Sequence, residues 1–589
     1  MVLSTIDWVI IVGFFVFSLV IGLLNSKKAG QSATEYFLSS RNMPWWLLGI
    51  SMVATTFSAD TPNLVTDIVR KNGVSGNWVW WAFLLTGMLT VFVYAKLWRR
   101  SGVMTDLEFY ELRYGGKSAA FLRGFRALYL GVFFNIVIMA SVSLAAIKIG
   151  GVMMGLTPVQ TLSIATVVTV AYSSLGGLRS VLITDFFQFL FAMVGSVAAA
   201  VYLLGHPSVG GLGELLSQPA VSDKLSFLPD FSDSSTLIPL LVLPLTIQWW
   251  SVWYPGAEPG GGGYIAQRML SARNEKNALT ATLVFNIAHY ALRPWPWILI
   301  ALASIIVFPD LISLQKAFPH IPADKINDDL AYPAMLTFLP AGLLGVLIAS
   351  LVAAYMSTIS THLNWGSSYV VHDFYKRFIK PAATDTELVR IGRISTVLLA
   401  VVSAMLALLL SNALQAFNIL LQIGAGTGLI FILRWFWWRI NTYTEITGMT
   451  VSFVVAIYFE TIHNSIASPI DGHWRLLLGV GITTLSWLLV TLVTQPEANE
   501  VLVDFYKKVR PASFGWKPVL RNNPTLVEEK GQLPVEILFM VVGSFTVYAT
   551  LFAIGFLLYD NLVSAFISGL VSILGITILI KNWKRLKFS

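Results

Sequence analysis

Long runs of apolar residues, separated by short polar segments, fill most of the chain. A membrane-spanning helix needs about 20 such residues, and we find about fifteen runs of that length. They begin near residues 7, 45, 78, 124, 156, 180, 236, 279, 335, 388, 413, 444, 474, 536 and 561. The pattern predicts an all-α, polytopic membrane protein with about fifteen transmembrane helices.

The composition supports this prediction and removes several classes of function. Of the 589 residues, 56% are hydrophobic and only 12% are charged, which is too apolar for a soluble fold of this length. Cysteine is absent, so disulfide frameworks, thiolate metal sites and cysteine nucleophiles are excluded. The first run begins at Asp7 and is too long for a cleaved signal peptide, so we expect it to remain as a helix.

The net charge of +8 is explained by orientation in the membrane. With the N-terminus outside, most of the 39 lysines and arginines lie in predicted cytoplasmic segments. The exceptions are Arg70, Lys71, Lys224, Lys316, Lys325 and Arg475 in outer segments, and Lys148 and Arg293 within spans. The positive-inside rule therefore predicts an N-out, C-in protein of the cell inner (plasma) membrane, and no excess charge calls for a nucleic-acid partner.

Two predicted spans are interrupted by residues that break helices. The second span contains Asp60 and Pro62 after small polar residues, and the seventh contains the Pro/Gly-rich segment 254–263. Backbone groups freed at membrane depth are tolerated only where they line a cavity or bind a ligand. Because the breaks lie five spans apart, in corresponding places of two five-helix halves, they predict the midplane binding site of an inverted-repeat transporter.

The ninth span carries hydroxyl groups along one stripe. Positions i, i+3, i+4 and i+7 are Ala354, Ser357, Thr358 and Thr361, and Ser360 borders them. Hydroxyls facing freed carbonyls supply the oxygen ligands that sodium needs, but the same stripe also suits helix packing. Asp185 in the sixth span costs about 2.5 to 3.5 kcal/mol if uncompensated at mid-membrane, so we expect it to have a partner.

Several motifs resemble the sodium:solute symporter family, which includes sodium-coupled glucose, proline and sialic acid transporters. They are Glu35–Arg41 followed by Pro44-Trp45-Trp46, Gly176-Gly177-Leu178 leading into Thr184-Asp185, Gln267–Arg273, and Ala354–Ser360. The motifs occur in order, at family-like spacing, from about residue 33 to 440.

The resemblance implies a leucine-transporter-like core of two inverted five-helix repeats. Core helices 1–5 would occupy residues 43–204, and core helices 6–10 would occupy residues 236–438. One extra helix lies in residues 1–30, and residues 444–589 hold four extra helices with a cytoplasmic loop at 495–534.

The resemblance also implies sites for Na⁺ as the coupling ion, with two ions per cycle. The ligands of the first site would be the carbonyls of Ala54, Phe57 and Ala354 and the hydroxyls of Ser357 and Thr358. The ligands of the second site would be Asp185, Ser357, Ser360 and Thr361.

The sugar contacts of the family are not preserved. Thr61 follows Asp60 where sugar-transporting relatives have glutamine, and Gly262-Gly263 precede the aromatic gate candidate Tyr264. The predicted substrate-binding residues are Asp60, Thr61, Glu258, Tyr264, Arg293 and Gln422. A purely structural pairing of Arg293 with one of the two acids remains an equal alternative. His289 and His362 are interpreted as hydrogen-bonded packing residues.

These observations predict a secondary active transporter that couples sodium to a small polar organic solute, with the sugar or sugar-derivative class favoured. Its expected partners are the solute, sodium and the lipid bilayer, with no obligatory protein partner. Alternatives are amino-acid or carboxylate symport, proton coupling, and a transporter-like sensor or channel. No catalytic constellation is evident, so we do not expect an enzyme.

Overall fold

The computed structural model describes residues 3–252, 258–319, 321, 326–410, 413–463, 468, 470–528 and 532–588. Helices dominate this part of the chain, and its one contact of strand type is an isolated bridge between Met43 and Ala272. The predicted all-α fold class is therefore confirmed.

The helices follow the order of the apolar runs. The first group is α1 (Thr5–Ala29), α2 (Ala33–Leu38), α3 (Trp45–Thr56), α4 (Thr61–Asn72), α5 (Trp78–Trp81), α6 (Leu84–Leu89), α7 (Ala95–Ser101), α8 (Glu108–Arg113), α9 (Gly116–Leu128), α10 (Asn135–Met154) and α11 (Pro158–Leu204). The second group is α12 (Leu212–Ser217), α13 (Pro219–Ser222), α14 (Ser234–Leu237), α15 (Leu243–Thr246), α16 (Gly263–Ser271), α17 (Glu275–Ile287), α18 (Pro294–Val307), α19 (Leu311–Ala317), α20 (Ala331–Leu336) and α21 (Leu343–Ser368). The last group is α22 (Asp385–Leu409), α23 (Ala413–Phe436), α24 (Thr442–Ile457), α25 (Gly472–Val493), α26 (Asn499–Val509), α27 (Lys517–Asn522), α28 (Leu533–Leu558) and α29 (Leu562–Asn582).

Within the described residues, ten helices are long and apolar enough to cross a membrane, and five shorter apolar helices lie between them. They occur where the sequence predicts spans, which agrees with a multi-pass membrane protein. The total of about fifteen spans, the N-out orientation and the division into two repeats stay predictions.

Two predicted span starts differ from the structure. The run expected from residue 124 belongs to a helix that begins at Gly116. The first turns of this helix contain Lys117 and Arg123, and Arg123 pairs with Glu111 and Asp373. Charges near the start of this helix lower the local mean hydropathy, so the apolar pattern predicts a later start than the structure has. The ninth span begins at Leu343 instead of near 335, after the separate short helix α20.

The first predicted helix break is present, and the described residues 258–262 of the second break are also non-helical. Helix α3 ends at Thr56 and α4 starts at Thr61, so residues 57–60 are non-helical. The second break separates α15 from α16, and its residues 253–257 lie outside the described part of the chain. Gly260 and Gly261 in this break both have φ of 86°, a left-handed backbone that glycine adopts without strain.

Long helices surround the first break. Helix α11 packs against both α1 and α21, and α3 packs against α17. Helix α21 also contacts α3, which brings the hydroxyl stripe to the end of the broken helix. The fold therefore places the two sequence features that predict ion binding against each other.

Gly177 bends α11 between the predicted fifth and sixth spans. Its φ of 57° and ψ of −163° lie in a region that is essentially restricted to glycine. A Cβ atom at this position would lie 2.7 Å from the carbonyl oxygen of Tyr36. The bend therefore depends on the absence of a side chain.

We expect Gly177→Ala to lower the free energy of unfolding by about 1 to 3 kcal/mol, because alanine must adopt a strained backbone there. Thermal unfolding of the detergent-solubilised protein measures this change. The matched control is Gly13→Ala in α1, where a Cβ meets no atom within 4 Å. Equal melting temperatures for the two variants would contradict the prediction.

Candidate functional site

The end of helix α3 provides carbonyl groups at the first break. The Phe57 N–H donates to the carbonyls of Val53 and Ala54, at 3.0 and 3.1 Å, and the helix stops there. Pro62 lies in the first turn of α4, where its missing N–H costs no hydrogen bond. The Thr61 hydroxyl accepts a hydrogen bond from the Ser58 N–H at 3.2 Å, so Thr61 shapes the break itself.

The hydroxyl stripe of α21 faces this helix end. The Thr358 hydroxyl donates to the Thr55 carbonyl at 3.0 Å, and the Thr55 and Thr361 hydroxyl oxygens lie 3.0 Å apart. All of these side chains are buried. The predicted first-site hydroxyl of Thr358 therefore lies beside the carbonyl that directly follows Ala54 in the chain.

Asp185 lies between the stripe and α3. One carboxylate oxygen, Oδ1, accepts from the Ser357 hydroxyl at 2.7 Å, and the other, Oδ2, accepts from the Ser51 hydroxyl. The Ser360 hydroxyl instead donates to the Ser357 carbonyl of its own helix at 3.1 Å. Ser357 thus links the residues predicted for both sodium sites.

Arg268 is the partner of Asp185 that the sequence analysis missed. Its Nη2 lies 3.6 Å from Asp185 Oδ2 and donates to the Thr361 hydroxyl at 2.7 Å. Both charged side chains are fully buried. Arg268 stands in the recognised Gln267–Arg273 motif, but no spacing pattern connects that motif to Asp185.

Tyr264 also lies next to this cluster. The tyrosine is buried, its ring centroid lies 6.0 Å from that of His362, and the Arg268 guanidinium lies 5.8 Å from the ring. His362 makes a 2.5 Å contact with Asn135 Oδ1, which agrees with its interpretation as a hydrogen-bonded packing residue.

Arg293 contacts the first break and neither predicted acid. Its Nη1 donates to the Thr56 hydroxyl at 3.2 Å and to the Val53 carbonyl at 3.4 Å. Its Nη2 lies 3.2 Å from His289 Nε2. Among the described side chains no salt bridge within 4.0 Å joins Arg293 to Asp60 or Glu258, but Arg293 and Asp60 interact electrostatically at longer range. The structural pairing of Arg293 with one of the two acids stays a prediction.

Glu258 lies in a different charge cluster. It pairs with Arg126, and its other carboxylate oxygen accepts from Arg434 at 3.1 Å. Arg434 also lies 3.6 Å from Glu445. All of these side chains are buried, so the cluster joins the second break to the helices that carry the two arginines.

A pocket adjoins this cluster. Its lining residues include Arg126, Glu258, Phe134, Phe431 and Met449. It does not include Arg293 or Asp60. Gln422, another predicted substrate residue, is on α23, and its side chain is outside the described part of the structure.

We expect Glu258→Gln to lower the free energy of unfolding by about 3 to 5 kcal/mol, because buried Arg126 loses its counter-charge and Arg434 keeps only Glu445. Thermal unfolding measures this loss. The control is Glu387→Gln, since Glu387 pairs with Lys380 at the surface and such a pair is worth about 0 to 1 kcal/mol. Equal destabilisation by both changes would contradict the prediction.

The sequence profile of the sodium:solute symporter family matches residues 36–452. The chain is 26% identical to the sodium/glucose cotransporter of Vibrio parahaemolyticus, over 78% of this chain and 86% of that protein. It is 24% identical to the sodium/sialic acid symporter SiaT of Proteus mirabilis, over 77% of this chain and 89% of that protein.

A solved structure of a Na⁺-coupled sialic acid symporter has a similar fold. Its TM-score is 0.67 at 21% sequence identity, and the alignment covers 84% of this chain and 99% of that one. The similarity extends over nearly the whole of the solved protein.

Proposed function

Because this chain belongs to the sodium:solute symporter family and is a sodium-coupled membrane transporter, not an enzyme, we propose that its solute is a small polar sugar derivative. The solute would cross the cell inner (plasma) membrane by alternating access, with its binding site at the two helix breaks. The related glucose and sialic acid transporters support this substrate class.

The first sodium ion would bind where α21 meets the end of α3. Its proposed ligands are the carbonyls of Ala54, Phe57 and Ala354 and the hydroxyls of Ser357 and Thr358. The observation that carries this assignment is the contact of the Thr358 hydroxyl with the Thr55 carbonyl at 3.0 Å. The contact puts the Thr358 hydroxyl beside a carbonyl at the end of α3, one residue from the proposed ligand Ala54. Carbonyl and hydroxyl oxygens are the hard ligands that sodium needs.

The second sodium ion would bind at the Oδ1 oxygen of Asp185. Ser357 already contacts this oxygen, and Ser360 and Thr361 follow on the same helix. Arg268 lies on the Oδ2 side of the carboxylate and also donates to the Thr361 hydroxyl, so the ion would bind at Oδ1. The positive charge of Arg268 weakens such a site, which makes the sodium stoichiometry a direct test of it.

Two ions would supply enough energy for steep accumulation. Each sodium ion that enters down about 100 mV releases about 2.3 kcal/mol, and a tenfold gradient adds about 1.4 kcal/mol. Two ions therefore supply about 7 kcal/mol for a neutral solute, which corresponds to an accumulation of about 10⁵-fold.

Uptake into proteoliposomes tests the proposal. The purified protein is given an inward sodium gradient and a panel of radiolabelled sugars, sugar acids and amino acids. We expect at least one sugar derivative to accumulate above its outside concentration, and monensin, which dissipates the sodium gradient, to abolish this accumulation. Choline in place of sodium should give no accumulation.

Two results would contradict the proposal. Uptake that only equilibrates, without accumulation, would indicate a channel. Accumulation that follows an imposed proton gradient in the absence of sodium would indicate proton coupling.

A further inference from the structure

The loop between helices α25 and α28 folds back against the end of the membrane helix α23. The Trp438 N–H, just after this helix, donates to the Gly515 carbonyl at 3.2 Å, and Trp516 Nε1 donates to the Trp435 carbonyl at 3.0 Å. The Trp516 ring also stacks on Phe505 of α26, with ring centroids 5.4 Å apart. These contacts fix the connection between α26 and α27 to the end of α23.

Helix α25 gives the level of this contact in the membrane. Leu492 and Val493, at the end of the helix, are exposed, and Val493 is its last residue. The apolar, lipid-facing surface of α25 therefore continues to its end. Arg439, the residue after Trp438, donates to the Leu492 carbonyl at 2.7 Å. The contact between Trp438 and Gly515 thus lies close to the level at which this apolar surface ends.

Phe514 is placed at this level by its neighbour Gly515. Its side chain is 78% exposed, although the two residues that flank it in the chain, Ser513 and Gly515, are not. One exposed phenylalanine is ordinary on a protein surface in water. At the boundary of a bilayer, such a side chain can instead insert among the lipid headgroups and the first part of the acyl chains.

Five exposed basic residues flank Phe514 in the chain. None of their side chains forms a hydrogen bond or an ion pair with a described residue. Between residues 499 and 522 the only acids are Glu500 and Asp504, both in the first half of α26. The five basic residues are Lys507, Lys508, Arg510, Lys517 and Arg521.

Helix α26 keeps this charge at the surface because its apolar face is already used. Leu502, Phe505 and Val509 are buried, and the helix packs against α7 and α8. A cluster of four to eight basic residues next to a membrane helix attracts anionic lipids, and each residue near the bilayer raises the affinity by about fivefold. The position, the charge and the exposed ring therefore favour the same partner.

We propose that Phe514 and these five basic residues form a binding surface for anionic phospholipids of the adjacent leaflet. The basic side chains bind lipid phosphates, and the Phe514 ring inserts between the headgroups. The ring favours a lipid over free phosphate, because a soluble anion gives it no apolar environment. This surface does not depend on the identity of the transported solute.

Site-directed fluorescence tests this surface in the full-length protein. The chain contains no cysteine, so Phe514→Cys can carry a single apolar fluorophore. The labelled protein is placed in nanodiscs of phosphatidylcholine, with or without an equal part of phosphatidylglycerol, and a lipid with a nitroxide on its acyl chain serves as the quencher. We expect quenching to be about fivefold stronger with phosphatidylglycerol. Added KCl should suppress this difference, because salt screens exposed charges.

The matched control for the label is another exposed phenylalanine. Phe231 is 67% exposed, but it lies close to the acids Asp230 and Asp233 in the loop between α13 and α14. Quenching of a label on Phe231→Cys should not increase with phosphatidylglycerol.

Charge variants connect the effect to the basic residues. Lys507→Gln/Lys517→Gln, combined with the label on Phe514→Cys, should remove most of the increase. The control is Lys276→Gln/Lys316→Gln, which changes the net charge equally at two exposed lysines outside the surface. This control should leave the increase unchanged.

Three results would overturn the inference. Equal quenching of the Phe514→Cys label in the two lipid mixtures would show that the surface does not select anionic lipids. Weak quenching in both mixtures would place the surface in water or against a protein partner. An increase that is as large for the Phe231→Cys label, or that survives Lys507→Gln/Lys517→Gln, would show that the basic residues do not cause it.

Discussion

Ser357→Ala is expected to lower the apparent sodium affinity by about 10- to 150-fold. The Ser357 hydroxyl is a predicted ligand of both sodium sites, and it also donates to Asp185 at 2.7 Å. Loss of one interaction with a charged group costs about 1.5 to 3 kcal/mol, which corresponds to this range of affinity. The measurement is the sodium concentration that gives half-maximal uptake, together with half-maximal thermal stabilisation by sodium.

The matched control for this variant lies on the same helix. Ser350 is also fully buried on α21, but its hydroxyl donates to the Leu347 carbonyl of its own helix at 2.7 Å. Ser350→Ala should leave the sodium dependence unchanged. If both variants shift the sodium dependence equally, or if neither does, Ser357 is not a sodium ligand.

Asp185→Leu should lower the free energy of unfolding by about 3 to 5 kcal/mol, because it leaves the Arg268 guanidinium buried without its counter-charge. Such a loss is a large part of the stability of an ordinary protein domain. The double variant Asp185→Leu/Arg268→Met should regain most of it, since apolar residues of similar volume often replace a buried ion pair without cost. Thermal unfolding measures both effects.

The ion stoichiometry distinguishes a structural role of Asp185 from a role in binding sodium. We expect Asp185→Asn, which preserves the shape of the side chain, to change the number of sodium ions per solute from two to one. The membrane potential at which net uptake reverses, measured at several sodium gradients, gives this number. A two-sodium stoichiometry in a folded Asp185→Asn transporter would exclude the proposed second site.

Local sequence patterns anticipated several parts of the structure correctly. Apolar runs located the helices, because burial in lipid requires a run of fixed length wherever it occurs in the chain. The first break was predictable because Asp60 and Pro62 act on their own turn of backbone. The hydroxyl stripe on α21 was predictable because helical periodicity alone places Ser357, Thr358 and Thr361 on neighbouring positions.

The motifs of the family indicated the coupling ion, which local patterns could not identify. Hydroxyls in a membrane helix suit packing as well as ion binding, so the stripe alone did not identify sodium. The ordered motifs of the family indicated sodium, and the family match supports sodium as the coupling ion.

The sequence by itself therefore determined the membrane fold, the first break and the coupling ion, whereas only the tertiary structure decided which charges meet. Glu258 pairs with Arg126 and Arg434, which are 132 and 176 residues away in the chain, and Asp185 faces Arg268 from another helix. Arg293 forms no salt bridge within 4.0 Å among the described side chains and interacts with Asp60 only at longer range. Charge pairs form between helices that pack together, and local periodicity does not indicate which helices pack together.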